Sequence, residues 1–284
     1  MIRARAIGLI TALATVLWST SPAIAQQRPL VTEDSETIGS GRLLFETGLD
    51  YEKDSKFPVS GLSGDLLAVP TFGFSIGLST IAEVQVDGGL YQRLTITDRE
   101  RAPLSSMLEI TGDRTKAVKD LIVGTKIRLL SENPGRPSVG ARFATRLPNA
   151  SNESGLGRDT TDFTASLLVG KTVQSFRFVT NAGLSILADP SAVARQDDLL
   201  VYALSVARAI AGGFEVVGEV NGRVNFTEFV AVGAEDRALL RFGARYTYGP
   251  VRVDGAFLAG LTPRDPGFGF TAGLTWVFDA FTVP

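Results

Sequence analysis

Apolar side chains recur at every second residue through most of this chain, and that period restricts the fold more than any other feature. In the closing stretch FGFTAGLTWVF, Phe270, Ala272, Leu274, Trp276 and Phe278 take one parity, and Thr271, Gly273 and Thr275 the other. Such a period belongs to a β-strand with one face in an apolar medium. It does not say whether the medium is a protein core or lipid.

From Arg42 onward the alternation predicts about twelve strands. LLFETGLDYE sets Leu43, Phe45, Leu49 and Tyr51 against Glu46, Gly48, Asp50 and Glu52. TFGFSIGLS follows, with Pro70 expected at its start because a proline inside a ladder loses a hydrogen bond. In the third strand Val84, Val86, Leu90 and Leu94 oppose Glu83, Gln85, Asp87, Tyr91 and Arg93. The scheme repeats through KDLIVGTKIRLL, SVGARFATRL, DFTASLLVGK, RFVTNAGLSIL, LLVYALSVA, FEVVGEVNGRV, ALLRFGARYTY and VRVDGAFLAGL to the closing strand.

The connections decide the medium. Long polar segments follow the odd strands, as at 97–116, 148–160, 188–198, 226–235 and 262–269, and short turns follow the even ones. An even strand count with turns short at one end and long at the other is the pattern of bacterial outer-membrane barrels. A soluble sandwich has no reason to put every long loop on one parity. About 260 mature residues over twelve strands give roughly 21 for each strand and connection, room for a tilted span of about 9–11. In hydrocarbon every backbone amide must be paired, so the last strand is expected to close on the first.

The opening MIRARAIGLITALATVLWSTSPAIA carries Arg3 and Arg5, an apolar run from Ala6 to Trp18 and a small-residue Ala23-Ile24-Ala25 site. It reads as a cleaved secretory signal peptide over 1–25. The expected organisation is then a periplasmic or lumenal segment over 26–41, a transmembrane barrel over 42–278 and a tail over 279–284. Loss of the leader leaves a modest acidic excess, which does not suit a nucleic-acid partner. Cysteine is absent, so an exported domain of this kind rests on strand closure or a large core instead of disulfides.

Function is read from the inward parity. Glu83, Asp87, Lys126, Arg128, Arg142, Arg146, Glu215, Glu219, Arg223, Arg241 and Arg245 are expected to line a lumen, where rings of charge set selectivity. Their basic excess favours anionic or hydrogen-bonding solutes. The polar stretch QQRPLVTEDSETIGSG is a candidate plug, with Glu33, Asp34 and Glu36 near Arg142, Arg146, Arg241 or Arg245. On the other parity, Trp276, Phe278, Tyr246, Tyr248, Phe214 and Phe178 form an expected inner aromatic girdle, and Tyr51, Phe163, Tyr202 and Phe257 an outer one.

Catalysis finds little support, because the chain has no histidine to shuttle a proton and no cysteine nucleophile. Glu215 and Glu219 stand roughly 13 Å apart along one strand face, too far for a glycosidase pair. The soft metal ligands are missing too. Asn152, Glu153, Asp159 and Asp162 could hold calcium in an outer loop, but Asn and Asp in turns explain them more simply. No cofactor and no resident metal are expected.

Several stretches carry a family resemblance: RPLVTEDSETIGSGRLLFETGLDYE, LAVPTFGFSIGLSTIAEVQV, KDLIVGTKIRLL, TRLPNASNESGLGRDTTDFTASLLVGK and GFTAGLTWVF. Over most of the mature chain the sequence resembles the outer-membrane, transporter-like family associated with the meta-pathway of phenol degradation. The resemblance implies a monomeric or weakly associated barrel passing small molecules, aromatic ones among them. The closing strand also resembles the signal read by the outer-membrane assembly machinery, although here the chain runs on as DAFTVP. The expected partners are therefore outer-membrane lipid, that machinery and a small-molecule solute. The alternative is a barrel that does not transport and serves envelope structure or surface adhesion.

Overall fold

A computed structural model describes residues 28–190 and 196–282. The expected signal peptide at 1–25 lies outside the described residues. Twelve antiparallel strands follow one another: β1 (Arg42–Phe57), β2 (Leu62–Gly77), β3 (Ala82–Arg99), β4 (Arg114–Leu130), β5 (Ser138–Leu147) and β6 (Asp162–Val173), then β7 (Phe176–Ala188), β8 (Gln196–Ala211), β9 (Phe214–Asn225), β10 (Arg237–Tyr248), β11 (Val251–Gly260) and β12 (Phe268–Asp279). Each pairs with its sequence neighbours, and β12 pairs with β1 from Arg42↔Asp279 to Lys53↔Phe268, so the sheet is a closed barrel. Closure leaves no unpaired edge, which a spanning sheet requires.

Turns at one end are short at 78–81, 174–175, 212–213 and 249–250 and longer at 131–137. At the other end, where β7 also ends and β8 begins, lie 100–113, 148–161, 226–236 and 261–267, together with one exception. The first connection, expected to be long, is Pro58–Gly61, because β1 and β2 continue well past the stretches the alternation marks. The long loops fold back over their end. Leu156 packs with Leu62, Leu94 and Ile96, and Ala234 with Leu187 and Leu199.

Two details of β2 and β3 correct the sequence reading. Pro70 sits inside β2, beside the register shift between Gly48 and Asp50 of β1, where a missing donor costs nothing to the ladder. Along β3 the register shifts between Asp87 and Gly89 and again between Gly89 and Gln92. A one-residue slip exchanges faces. Leu94, expected outside, is therefore fully buried within the wall's inner face, and Arg93 takes the outer parity.

All ten girdle aromatics lie on outward parity. Trp276, Tyr246, Tyr248, Phe214, Phe178, Phe163 and Phe257 are exposed, while Phe278, Tyr51 and Tyr202 are half-buried against neighbours. Trp276 and Phe278 have ring centroids 4.5 Å apart, and Tyr51 and Phe270 5.4 Å. Exposed Phe74, Leu184, Leu204, Leu240, Phe242 and Leu274 share that outer surface. An apolar face of this extent is costly in water and suits acyl chains.

Candidate transport lumen

The inward parity carries the polar side chains. All eleven charged residues singled out from the sequence project to the interior, most of them in ion pairs. Lys126, fully buried, stands 3.0 Å from Glu83. Arg241 meets Glu219 at 2.8 Å and Arg245 meets Glu215 at 2.7 Å. Arg146 pairs with Asp120 and Asp162. Arg142 lies 3.7 Å from Asp87. Buried charges demand such partners, since an unpaired one costs several kcal/mol.

Residues 28–41 run inside this polar bore. The N–H groups of Val31 and Thr32 donate to Glu219 on β9 at 2.9 and 2.6 Å, and Glu33 N–H donates to Asn181 on β7 at 2.8 Å. Ser35 meets Ser138 on β5 at 2.7 Å, and Ile38 N–H donates to Glu83 on β3 at 2.7 Å. Arg28 lies against β2, β11 and β12 through Thr71, Asp254 and Thr271. A segment touching strands on every side of a closed barrel must lie within it.

Its three acids find partners that differ in part from those expected. Glu33 pairs with Arg142 at 2.9 Å, as anticipated, and with Lys126 at 3.5 Å. Asp34 instead takes Arg177 at 2.6 Å, and Glu36 takes Arg128 at 2.8 Å. Arg146, Arg241 and Arg245 are held by wall carboxylates. Burial raises the Asp34 carboxyl, but the hydrogen bond and charge of Arg177 outweigh it and hold the group below its ordinary 3.8.

Sequence reasoning passed over Arg28, Arg177, Asn181, Ser138 and Arg237, and it put Asp254 on the polar parity of its strand without counting it among the lumen-lining charges. For Arg237 the signal was present: Arg241 and Arg245 extend back by four to the same face, one residue before the strand as read from the alternation. Among the described residues no group of three or more acidic side chains is disposed to hold a metal. In the loop considered for calcium, Asp162 is instead engaged by Arg146.

Toward the outer loops the bore holds two cavities. Between residues 31–33 and strands β5–β10 lies a cavity of about 330 Å³ lined by Arg142, Asn181, Asn221, Arg223, Arg237 and Leu239 among others. A second, of about 710 Å³, opens among the loops, with Lys56, Arg101, Glu235 and Arg264 on its walls.

Solved barrels share the architecture. An outer-membrane channel from Pseudomonas putida F1 superposes with a TM-score of 0.62 at 13% identity, over 86% of this chain and 98% of that one. The NanC porin does so with a TM-score of 0.50 at 12% identity, over 84% and 100%. At these identities the likeness is one of fold, the fold of bacterial outer-membrane barrels. No curated protein matches the chain by sequence. Residues 26–278 match the model of the family described as "Putative MetA-pathway of phenol degradation", and the chain belongs to that family.

Proposed function

We propose that the protein is a passive outer-membrane channel for small solutes, aromatic and other apolar compounds included, with residues 28–41 as its constriction. The observation that carries this reading is the manner in which that segment is held. As far as Ile38 it joins the wall through side chains and isolated N–H groups, not through strand pairing, so that part can move without opening the barrel. The polar lining and the cavities on its outer side fit a path for solutes. The two barrels of like fold are named as a channel and a porin.

The reading needs no catalysis. Glu215 and Glu219, the pair weighed as acid and base, are engaged by Arg245 and Arg241. Lipid and the solute are the partners in function, and the assembly machinery would read β12 during insertion.

Liposome swelling and single-channel recording test it, with the mature chain and with a form lacking residues 26–38. Deletion should raise conductance and swelling rates. Unchanged conductance and selectivity would reject the constriction. A lack of solute-dependent swelling in both forms would reject transport and favour a structural or adhesive barrel, a reading to which the close filling of the inner half lends weight.

A further inference from the structure

The 330 Å³ cavity has an unusual charge arrangement at its outer end. Arg223 and Arg237 are direct cross-strand partners on the inner faces of β9 and β10. Like charges so placed repel. Elsewhere in the bore each arginine cluster is answered by carboxylates, yet among the described residues neither of these two has one within 4.0 Å. Arg223 gives its Nε to the Glu235 carbonyl at 3.0 Å and Nη2 to the Gly233 carbonyl at 2.8 Å. Arg237 gives Nη2 to the Lys56 carbonyl at 3.2 Å, and its Nε is buried without a hydrogen-bond partner. Glu235, in the adjoining connection, accepts from Gly233 N–H at 2.9 Å and lies 4.0 Å from Arg264.

Beside this cationic end the walls are of two kinds. Asn221 accepts from Arg241 through its side-chain oxygen at 2.8 Å, which leaves its NH₂ group to donate. Val31, Val201 and Leu239 give the flank an apolar surface. Pockets near this volume take single small molecules, their orientation fixed by a few polar groups.

We propose that this cavity binds a small organic carboxylate. The carboxylate bridges Arg223 and Arg237 with help from the Asn221 amide, and an apolar body about the size of one ring rests on Val31, Val201 and Leu239. Guanidinium forks match carboxylates in geometry and charge, and a bound anion removes the repulsion between the two cations. The site rests on the channel reading, since it lies between the outer loops and residues 31–33, where a solute coming from outside would pause.

Equilibrium titration calorimetry on the full mature protein in detergent tests this, with benzoate as the probe. Cyclohexanecarboxylate should bind comparably, and benzamide at least about tenfold more weakly because it lacks the charge. Acetate, without the apolar body, and inorganic phosphate should also be weaker. Arg237→Gln should cost about tenfold in benzoate affinity, with the fold checked by heat-modifiable gel mobility. Arg223→Gln serves as a second variant, since Arg223 also anchors the 226–236 connection. Equal binding of benzamide, phosphate as strong as benzoate, or Arg237→Gln indistinguishable from wild type would each overturn the proposal. Swelling with uncharged solutes reads transport independently of binding, so either claim can fail without the other.

Discussion

The guanidinium of Arg28 occupies a gap that two glycines leave in the wall. Gly48 and Gly273 are cross-strand partners on the inner faces of β1 and β12, and a Cβ on either would strike that guanidinium. Seated there, Arg28 donates to Thr271 at 2.8 Å and to the Ala272 carbonyl at 2.9 Å, and it stands 3.5 Å from the wholly buried Asp254. Gly273→Ala should therefore unseat Arg28 while leaving a strand-compatible wall. Single-channel recording should show higher or noisier conductance at an unchanged urea midpoint; a wild-type trace would mean that Arg28 holds nothing. Lys126 offers the opposite case, a residue whose loss the barrel itself should feel. It lies between Glu83 and Glu33 with no exposed surface. Lys126→Met leaves the buried Glu83 without its cation, while Glu33 keeps Arg142, and should cost about 3–5 kcal/mol in urea unfolding from lipid vesicles. Adding Glu83→Gln should recover part of that loss.

Among the elements, β3 and residues 28–41 mark where the chain is hard to read. Alternation locates β3, but the second of its register shifts, between Gly89 and Gln92, adds a residue to β3 and carries the following side chains to the other face. Nothing in the order of residues 82–99 announces this, because Tyr91, Gln92, Arg93 and Leu94 suit either face until the partner strand fixes them. The lumenal segment has the same difficulty on a larger scale. Its acids and the arginines of the bore are evident in the sequence, whereas the choice of Arg177 over Arg146, Arg241 or Arg245 for Asp34 depends on the stagger of twelve strands. That choice predicts a pH response. The Asp34 carboxyl is depressed when docked, so its contribution to docking is complete above its free value near 3.8 and is lost as pH falls through the lower docked value. Glu132, which also holds Arg177, is depressed as well: burial raises it, and the Thr172 N–H and Arg177 more than offset that. The part of the conductance that this docking controls should thus stay flat from neutral pH to about 4 and rise below it. Asp34→Asn should remove much of the acid step and raise conductance at neutral pH; an unaltered profile would separate Asp34 from gating.

At the scale of the whole molecule, the architecture was legible because two weak signals agreed. A two-residue period admits a sandwich or a barrel, and long connections on one parity admit only a cylinder whose two ends differ. Lipid then makes closure compulsory, since an open edge would leave N–H and C=O groups unpaired in hydrocarbon. The cavity at Arg223 and Arg237 was beyond such reading, as it exists only once β9, β10 and the lumenal segment enclose a common space. Closure itself can be tested by exploiting the absence of cysteine from the chain. Thr47 and Leu274 are cross-strand partners on the outer faces of β1 and β12, 227 positions apart in sequence, close enough in space for a disulfide. A Thr47→Cys, Leu274→Cys double variant should form an intramolecular crosslink under mild oxidation, seen as a reductant-sensitive shift on a denaturing gel. Each single variant should show no such shift, and conductance should be unchanged because both positions face lipid. An open sheet, or a sandwich with its apolar faces buried against each other, would hold these two strands apart and leave the double variant uncrosslinked.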